Sequence, residues 1–137
     1  MVTMPIITNP KKLDFELYAG TSYRKLDYIS TYEFACYTVI GNLVFFQLNW
    51  RGQLKESGEK AFVSSNLFTK YLPKHASSLT ICDAVNLFTD SNAKISGLID
   101  TNGLAYFEYG YGTEVATWIA SDRDNQYLKI SGFYMFE

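Results

Sequence analysis

The chain has 137 residues, 12 Lys+Arg against 14 Asp+Glu, a formal net charge of −2 and 47% hydrophobic residues. It is too apolar for a disordered segment, too short for two ordinary domains and too near neutrality for a dedicated nucleic-acid binder. Its aromatic content is high: 11 Tyr, 10 Phe and 2 Trp, beside 3 Pro, 2 Cys and a single His.

Residues 1–20, with Pro5 and the Asn9-Pro10-Lys11-Lys12 cluster near their middle, read as an extended lead-in, and residues 21–137 as one domain. The opening Met1-Val2-Thr3-Met4-Pro5 has no charged region followed by an apolar one, so no secretory leader is expected. The longest apolar run, Leu43-Val44-Phe45-Phe46, falls far short of the roughly 20 residues that cross a bilayer. Cys36 and Cys82 stand apart, read as buried thiols rather than a disulfide framework, and point to folding in a reducing cytoplasm.

From there, period-two patterns dominate. Residues 34–40 form an incoming strand, Gly41-Asn42 a turn, and residues 44–51 the clearest strand, with Val44, Phe46, Leu48 and Trp50 on one side. The stretches 11–19 and 59–72 are the only two that could be helical, and neither has a convincing helical period. A strand is expected over 79–88, and a second hairpin pairs 93–100 with 104–109 around Asn102-Gly103. That dipeptide tolerates the positive φ of a type I′ turn. Further strands are expected over 114–120 and 127–136. This spacing of turns predicts an all-β fold, a single antiparallel β-sandwich or barrel.

Residues that could carry catalysis are scarce. His75 lies in Pro73-Lys74-His75-Ala76-Ser77-Ser78 without a nucleophile elbow, and reads as an exposed loop residue. One His and two scattered Cys do not make a tetrahedral zinc site. Asp122-Arg123-Asp124-Asn125 opens like an acidic calcium loop, but Tyr127 stands where that loop needs Gly and Phe133 where it needs Glu. Asp100-Thr101-Asn102-Gly103 fails in the same way, so both read as turns. No catalytic residue, metal site or cofactor is therefore assigned.

The aromatics carry more. In Tyr106-Phe107-Glu108-Tyr109-Gly110-Tyr111-Gly112, alternation sends Tyr109 and Tyr111 to the side of Phe107, and the glycines place them near a strand end. Trp118 precedes Ser121-Asp122-Arg123-Asp124. Flat rings beside carboxylates and a guanidinium suit a sugar, whose C–H face packs on the ring while its hydroxyls take the polar groups. Tyr109, Tyr111, Trp118, Asp122, Arg123 and Asp124 are thus the candidate ligand site; the competing reading makes the rings core or subunit contacts.

The succession Tyr37-Thr38-Val39-Ile40-Gly41-Asn42-Leu43-Val44, then Leu72-Pro73, a closing hairpin, and a terminal Ile130-Ser131-Gly132-Phe133-Tyr134 resembles the C-terminal head domains of receptor-binding and tail-fibre proteins of phages that infect Gram-positive bacteria. The resemblance covers about residues 34–137. It implies a jelly-roll-like β-barrel or sandwich head, homotrimeric, at the virion tail tip beside other tail and baseplate proteins. Such a head binds host cell-envelope saccharide without cleaving it, and neither nucleic acid nor membrane insertion is involved. The matching positions are scaffold, so the site residues rest on the aromatic-plus-polar argument alone. Rings on both faces of strand 44–51 fit a second face buried against a neighbouring subunit. Two other readings stand beside this one. The first is a structural tail or baseplate protein that contacts only virion proteins. The second is an envelope depolymerase, for which Asp122 or Asp124 would be the first carboxylate to test.

Overall fold

In the computed structural model, which describes residues 9–90, 92–110 and 114–136, the alternating sequence folds into eleven strands and one short helix. The expected first hairpin is present as β4 (Tyr28–Ile40) and β5 (Leu43–Leu54), joined at Gly41-Asn42. Val44, Phe46, Leu48 and Trp50 are buried along β5, while Phe45, Gln47 and Arg51 face outward. The strand β4 starts at Tyr28 rather than Phe34. A bulge at Thr31 shifts its register between Ser30 and Tyr32, so Ile29 and Tyr32 share the outer face and the period of two is lost.

The second hairpin pairs β8 (Ile95–Ile99) with β9 (Leu104–Tyr109), but not through the expected two-residue turn. The Gly103 amide donates to Asp100 O at 3.0 Å and the Asp100 amide to Leu104 O at 2.9 Å, with positive φ (83°) at Gly103 and not at Asn102. This is a three-residue loop ending in a glycine bulge, in which Asn102 Oδ1 accepts from the Leu104 amide. The strands β7 (Ser77–Val85) and β11 (Gln126–Met135) match expectation closely. By contrast β10 (Glu114–Val115) is short, and only isolated bridges at Thr117 and Trp118 continue it.

Four strands were not legible. They are β1 (Lys11–Lys12), β2 (Glu16–Ala19), β3 (Arg24–Lys25) and β6 (Ala61–Ser64), each too short to show a period. After β6 the helix α1 (Asn66–Lys70) starts from Ser65, whose hydroxyl caps the Leu67 amide at 3.1 Å.

All of these belong to one curled antiparallel sheet, a half-barrel, ordered β1-β4-β5-β11-β7-β8-β9-β6-β2-β3 with β10 on β9. The all-β class is therefore as expected. The sheet bends at β7: its residues 80–85 pair with β11 and its residues 77–79 with β8. A second bulge there leaves Cys82 between the pairs Ile81–Ile130 and Asp83–Lys129, exposed rather than buried as expected; Cys36 is half-buried, and both are free thiols.

The open side is laced by the chain's first strands. One crossing starts where β1 pairs with Tyr37 and Cys36 of β4; the Leu13 amide then bonds Ala35 O, and the chain passes to β2 beside β6. A second crossing runs from β3 into β4. Leu13, Leu17, Ala19 and Leu26 are buried by these crossings. From β1 onward the expected lead-in over residues 1–20 is thereby corrected, since the fold includes that stretch; residues 1–8 lie outside the described residues.

The second crossing is pinned by Glu56, whose carboxylate takes two hydrogen bonds from the Arg24 guanidinium, at 2.8 and 2.5 Å, and one from the Asp27 amide at 2.7 Å. The Arg24 hydrogen bond is the main cause that holds the Glu56 carboxyl below its ordinary range, against a smaller opposing effect of burial.

Inside the half-barrel the rings gather at two ends. Phe46, Phe68 and Tyr134 meet at one, with centroids 5.1 to 6.4 Å apart, and Tyr134 donates to Tyr71 O. Phe88, Phe107 and Trp118 meet at the other, 5.3 to 6.0 Å apart. Edge-to-face and offset contacts at these distances add to the area each ring buries.

Two outcomes are expected. A Cβ at Gly52 would lie 2.1 Å from Ile29 O and 2.6 Å from Trp50 Cζ2, both held by the β4–β5 ladder. Gly52→Ala should cost about 3 kcal/mol or more in urea denaturation, because overpacking against backbone is not relieved by a rotamer change. Glu56 stabilises only while ionised, so its contribution is present above the ordinary carboxylate range and fades as pH falls through the lowered value. Denaturation over an acid pH series should show that loss, and Glu56→Gln should remove this part of the pH dependence.

Candidate functional site

The segment that follows β10 holds most of the sequence-predicted residues. Residues 116–119 run between two neighbours: the Ala61 amide donates to Ala116 O and the Trp118 amide to Glu59 O on one side, and the Thr89 amide to Thr117 O and the Ile119 amide to Leu87 O on the other. This double attachment fixes which side chains turn inward. Trp118 does: it is fully buried, stacked on Phe88 at 5.7 Å, edge-on to Phe107 at 6.0 Å, and its Nε1 donates to Tyr18 O at 3.0 Å. The expectation of a sugar platform at Trp118 is corrected here. Its faces are occupied by core rings and its one donor is used.

Tyr109 is half-buried, and its hydroxyl accepts from the Thr117 amide at 3.1 Å and lies 3.2 Å from Thr117 Oγ1. Burial raises its phenol, but hydrogen bonds to Thr117, with smaller ones to Thr89 and the Asp90 backbone, together outweigh that and the net shift is downward. The ring braces the 116–119 segment against β9. Tyr111 lies outside the described residues.

The polar turn divides its charges. The Ser121 hydroxyl donates to Asn125 Oδ1 at 2.6 Å and accepts from the Arg123 amide at 3.3 Å, which folds the turn on itself. Asp124 points to the outer face of β5, where it accepts from the Thr31 hydroxyl at 2.9 Å and pairs with Arg51 at 3.4 Å; the Arg51 guanidinium also covers the Tyr127 ring. Asp122 and Arg123 instead line a depression of about 540 Å³. Both are exposed, and neither side chain is paired among the described residues. Asp122 and Asp124, the carboxylates a depolymerase would be tested on, therefore face different surroundings.

Sequence reasoning missed the rest of this depression. Phe88 forms its floor, Ile119 a wall, and Asn86 and Thr89 its polar margin. Asn86 could be singled out only as a break in the alternation after β7; its φ of 59° turns the chain there. The depression is held in shape by Gln126, fully buried at the start of β11. Gln126 Oε1 accepts from the Leu54 amide at 2.6 Å, and its Nε2 donates to Asn86 O and Ile119 O, each at 2.7 Å. One side chain thus joins the end of β5, the turn after β7 and the segment under Trp118. Among the described residues the arrangement offers an unpaired carboxylate, an unpaired guanidinium and an amide margin beside apolar side chains, which suits a small polyhydroxylated ligand.

A different surface carries the exposed rings. Ile29, Tyr32 and Phe34 of β4, Phe45 of β5, and Phe133 and Met135 of β11 occupy the outer face, each 40–63% exposed. Phe45 and Phe133 stack on one another at 5.8 Å. The free edge of β4 beside this face is blunted by the Thr31 bulge and by Glu33, which pairs with inward Trp50 and accepts from the Ser30 hydroxyl at 2.6 Å. His75 is exposed in its loop, and no group of metal-ligating side chains occurs among the described residues. No helix among them is long and apolar enough to cross a membrane. No family model matches the chain, and neither does a curated protein or a solved structure.

Trp118→Ala should cost about 3–5 kcal/mol in urea denaturation, where a surface platform would cost under about 0.5 kcal/mol. Gln126→Leu, which leaves one amide and two carbonyls unpaired in a buried position, should cost about 2–4 kcal/mol in the same assay.

Proposed function

We propose that this chain is a receptor-binding head of a phage tail, which recognises saccharide of the host cell envelope for adsorption and does not cleave it. The observation that carries the reading is the preformed depression beside residues 121–125, where Asp122 and Arg123 stand unpaired over Phe88 and Ile119. The ordered all-β scaffold, the near-zero charge and the order of motifs from Tyr37 to Tyr134 agree with it. A neutral polysaccharide offers no field for a charged protein to meet, and a small pocket of hydrogen-bonding groups is enough to orient a sugar.

In this reading the head is a homotrimer at the tail tip. The outer face of β4, β5 and β11 is the surface its subunits share. Monomers rarely expose so many large apolar side chains on one face. Ten residue pairs along β5 and β11, flanked by β4 and β7, give a face of roughly 600 Å² at ordinary strand spacing and rise, near the roughly 800 Å² a specific interface buries on each partner. Three weak sites on one head would then act together on a repeating cell-wall polymer. The same exposed rings favour a second reading, in which the chain is a structural tail or baseplate protein and that face meets other virion proteins.

Whole-cell adsorption separates the two. Arg123→Ala and Asp122→Ala should each weaken binding about tenfold or more, the worth of a hydrogen bond to a charged group, with unchanged thermal stability. Unchanged adhesion would reject this site, and a wild-type chain that binds no host cells would favour the structural reading. Light scattering should give a trimer, and Phe133→Ser should shift it to monomer; a monomeric wild type would reject the assembly.

A further inference from the structure

The argument for a ring beside polar groups, which fails at Trp118, is met elsewhere. On the other half of the sheet one rung runs unbroken across six strands: Ser78 on β7, Leu98 on β8, Tyr106 on β9, Phe62 on β6, Tyr18 on β2 and Lys25 on β3 are opposed pair by pair. The neighbours of these residues along the strands, Leu17, Val63, Ala105 and Ile99, are buried, so the rung itself lies on the outer face. Three consecutive strands therefore present a ring, and the Phe62 and Tyr106 centroids are 5.6 Å apart with their planes 35° from parallel. All three rings are half-buried, as expected of rings that lie along the sheet with one face open, unlike Phe133, which stands out from it. Phe62 takes this pose because Gly20 is bare; a Cβ there would meet its ring at 2.9 Å.

At the Leu98 end the rung enters a groove of about 440 Å³ on β7, β8 and β9. Ile81 and Ile95 give it apolar walls, and Ser78, Ser96 and Glu108 supply polar groups. Ser96 and Glu108 are themselves an opposed pair, two rungs along from Leu98 and Tyr106 and so on the same face. The hydroxyls of Ser78 and Ser96 have no partner among the described residues, and the Glu108 carboxylate lies beside the Tyr106 phenol on the same face.

We infer that this rung and groove form a second saccharide-binding surface, which takes a linear, neutral oligosaccharide laid across the strands. The inference rests on the reading of the chain as a saccharide-recognising head and adds a site separate from that of Asp122 and Arg123. Neighbouring strands lie about 4.8 Å apart, so the rings recur about once per sugar unit of an extended chain. Each ring can then meet the C–H face of one unit, while the groove holds the end of the chain by hydroxyl–hydroxyl and hydroxyl–carboxylate hydrogen bonds. Cross-strand ring pairs also stabilise a sheet, but that role needs neither the groove nor its unpaired hydroxyls.

The probe is a series of linear oligosaccharides of increasing length, chito-oligosaccharides and fragments of host cell-wall polysaccharide, titrated calorimetrically against the full chain. Affinity should rise with length until the three rings are covered and then level off. Tyr106→Leu and Tyr18→Leu, which keep apolar bulk but lose the flat face, should each weaken the longer ligands by about tenfold and leave the shortest nearly unchanged. Ser96→Ala should weaken all lengths alike. Affinity that is independent of length, or that falls with Arg123→Ala and not with the ring variants, would overturn the second surface and leave the first site standing. Absence of binding to every member of the series, together with loss of whole-cell adsorption, would overturn both. Variants that alter the oligomer without altering affinity would assign the rung to subunit contact and overturn the inference.

Discussion

A fully buried amide must find all of its hydrogen-bond partners within the protein, and Gln126 finds them in three separate segments. This constraint shapes one end of the molecule. Because Gln126 begins β11, the strand between β5 and β7, its bonds set where β5 ends, where the chain turns after β7 and how residues 116–119 lie. Leucine there would fill the space but leave those backbone groups without partners, which is the costlier error in a site that excludes water. The depression with Asp122 and Arg123 is a by-product of that clasp: two of the three segments Gln126 holds, the turn after β7 and the chain at Ile119, line it together with the 121–125 turn.

Much of the sheet was legible because its longer strands keep one face in the core. The strand 44–51 alternates without a fault, and β5 buries the expected side. Legibility failed where pairing, not periodicity, decides the structure. A four-residue strand such as β6 shows two inward side chains, Ala61 and Val63, too few to tell a strand from a turn. The bulge at Thr31 hides the first part of β4, because a single extra residue exchanges the faces of the alternation. The turn at Asn102-Gly103 showed itself by composition, but its length depends on how the Asp100 amide pairs with Leu104 O, which no local preference fixes.

The candidate site was half legible. Asp122 and Arg123 do line a depression, and Asp124 is drawn away by Arg51, a partner far off in the chain. Trp118 joins the expected ligand site because a polar turn follows it. The parity of the segment argues the other way: Ala116 and Trp118 point inward together, and the small residue makes room beside the large one. The aromatic surplus divides into two core clusters, a standing patch on one outer face and a flat row on the other. Core rings and a ring on the outer face of strand 44–51 could be anticipated from the sequence; the flat row could not, since it depends on which strands become neighbours.

The place of β11 has a kinetic meaning. It lies between β5 and β7 and pairs with both, yet it follows both of them in the chain. Until it arrives, two long strand edges are open and the two halves of the half-barrel have no shared ladder. Pairing of this kind is non-local and slow, and open edges are where chains join one another wrongly. Folding of this sheet therefore waits on β11, and a chain cut short before Gln126 is left with sticky edges instead of a smaller stable fold.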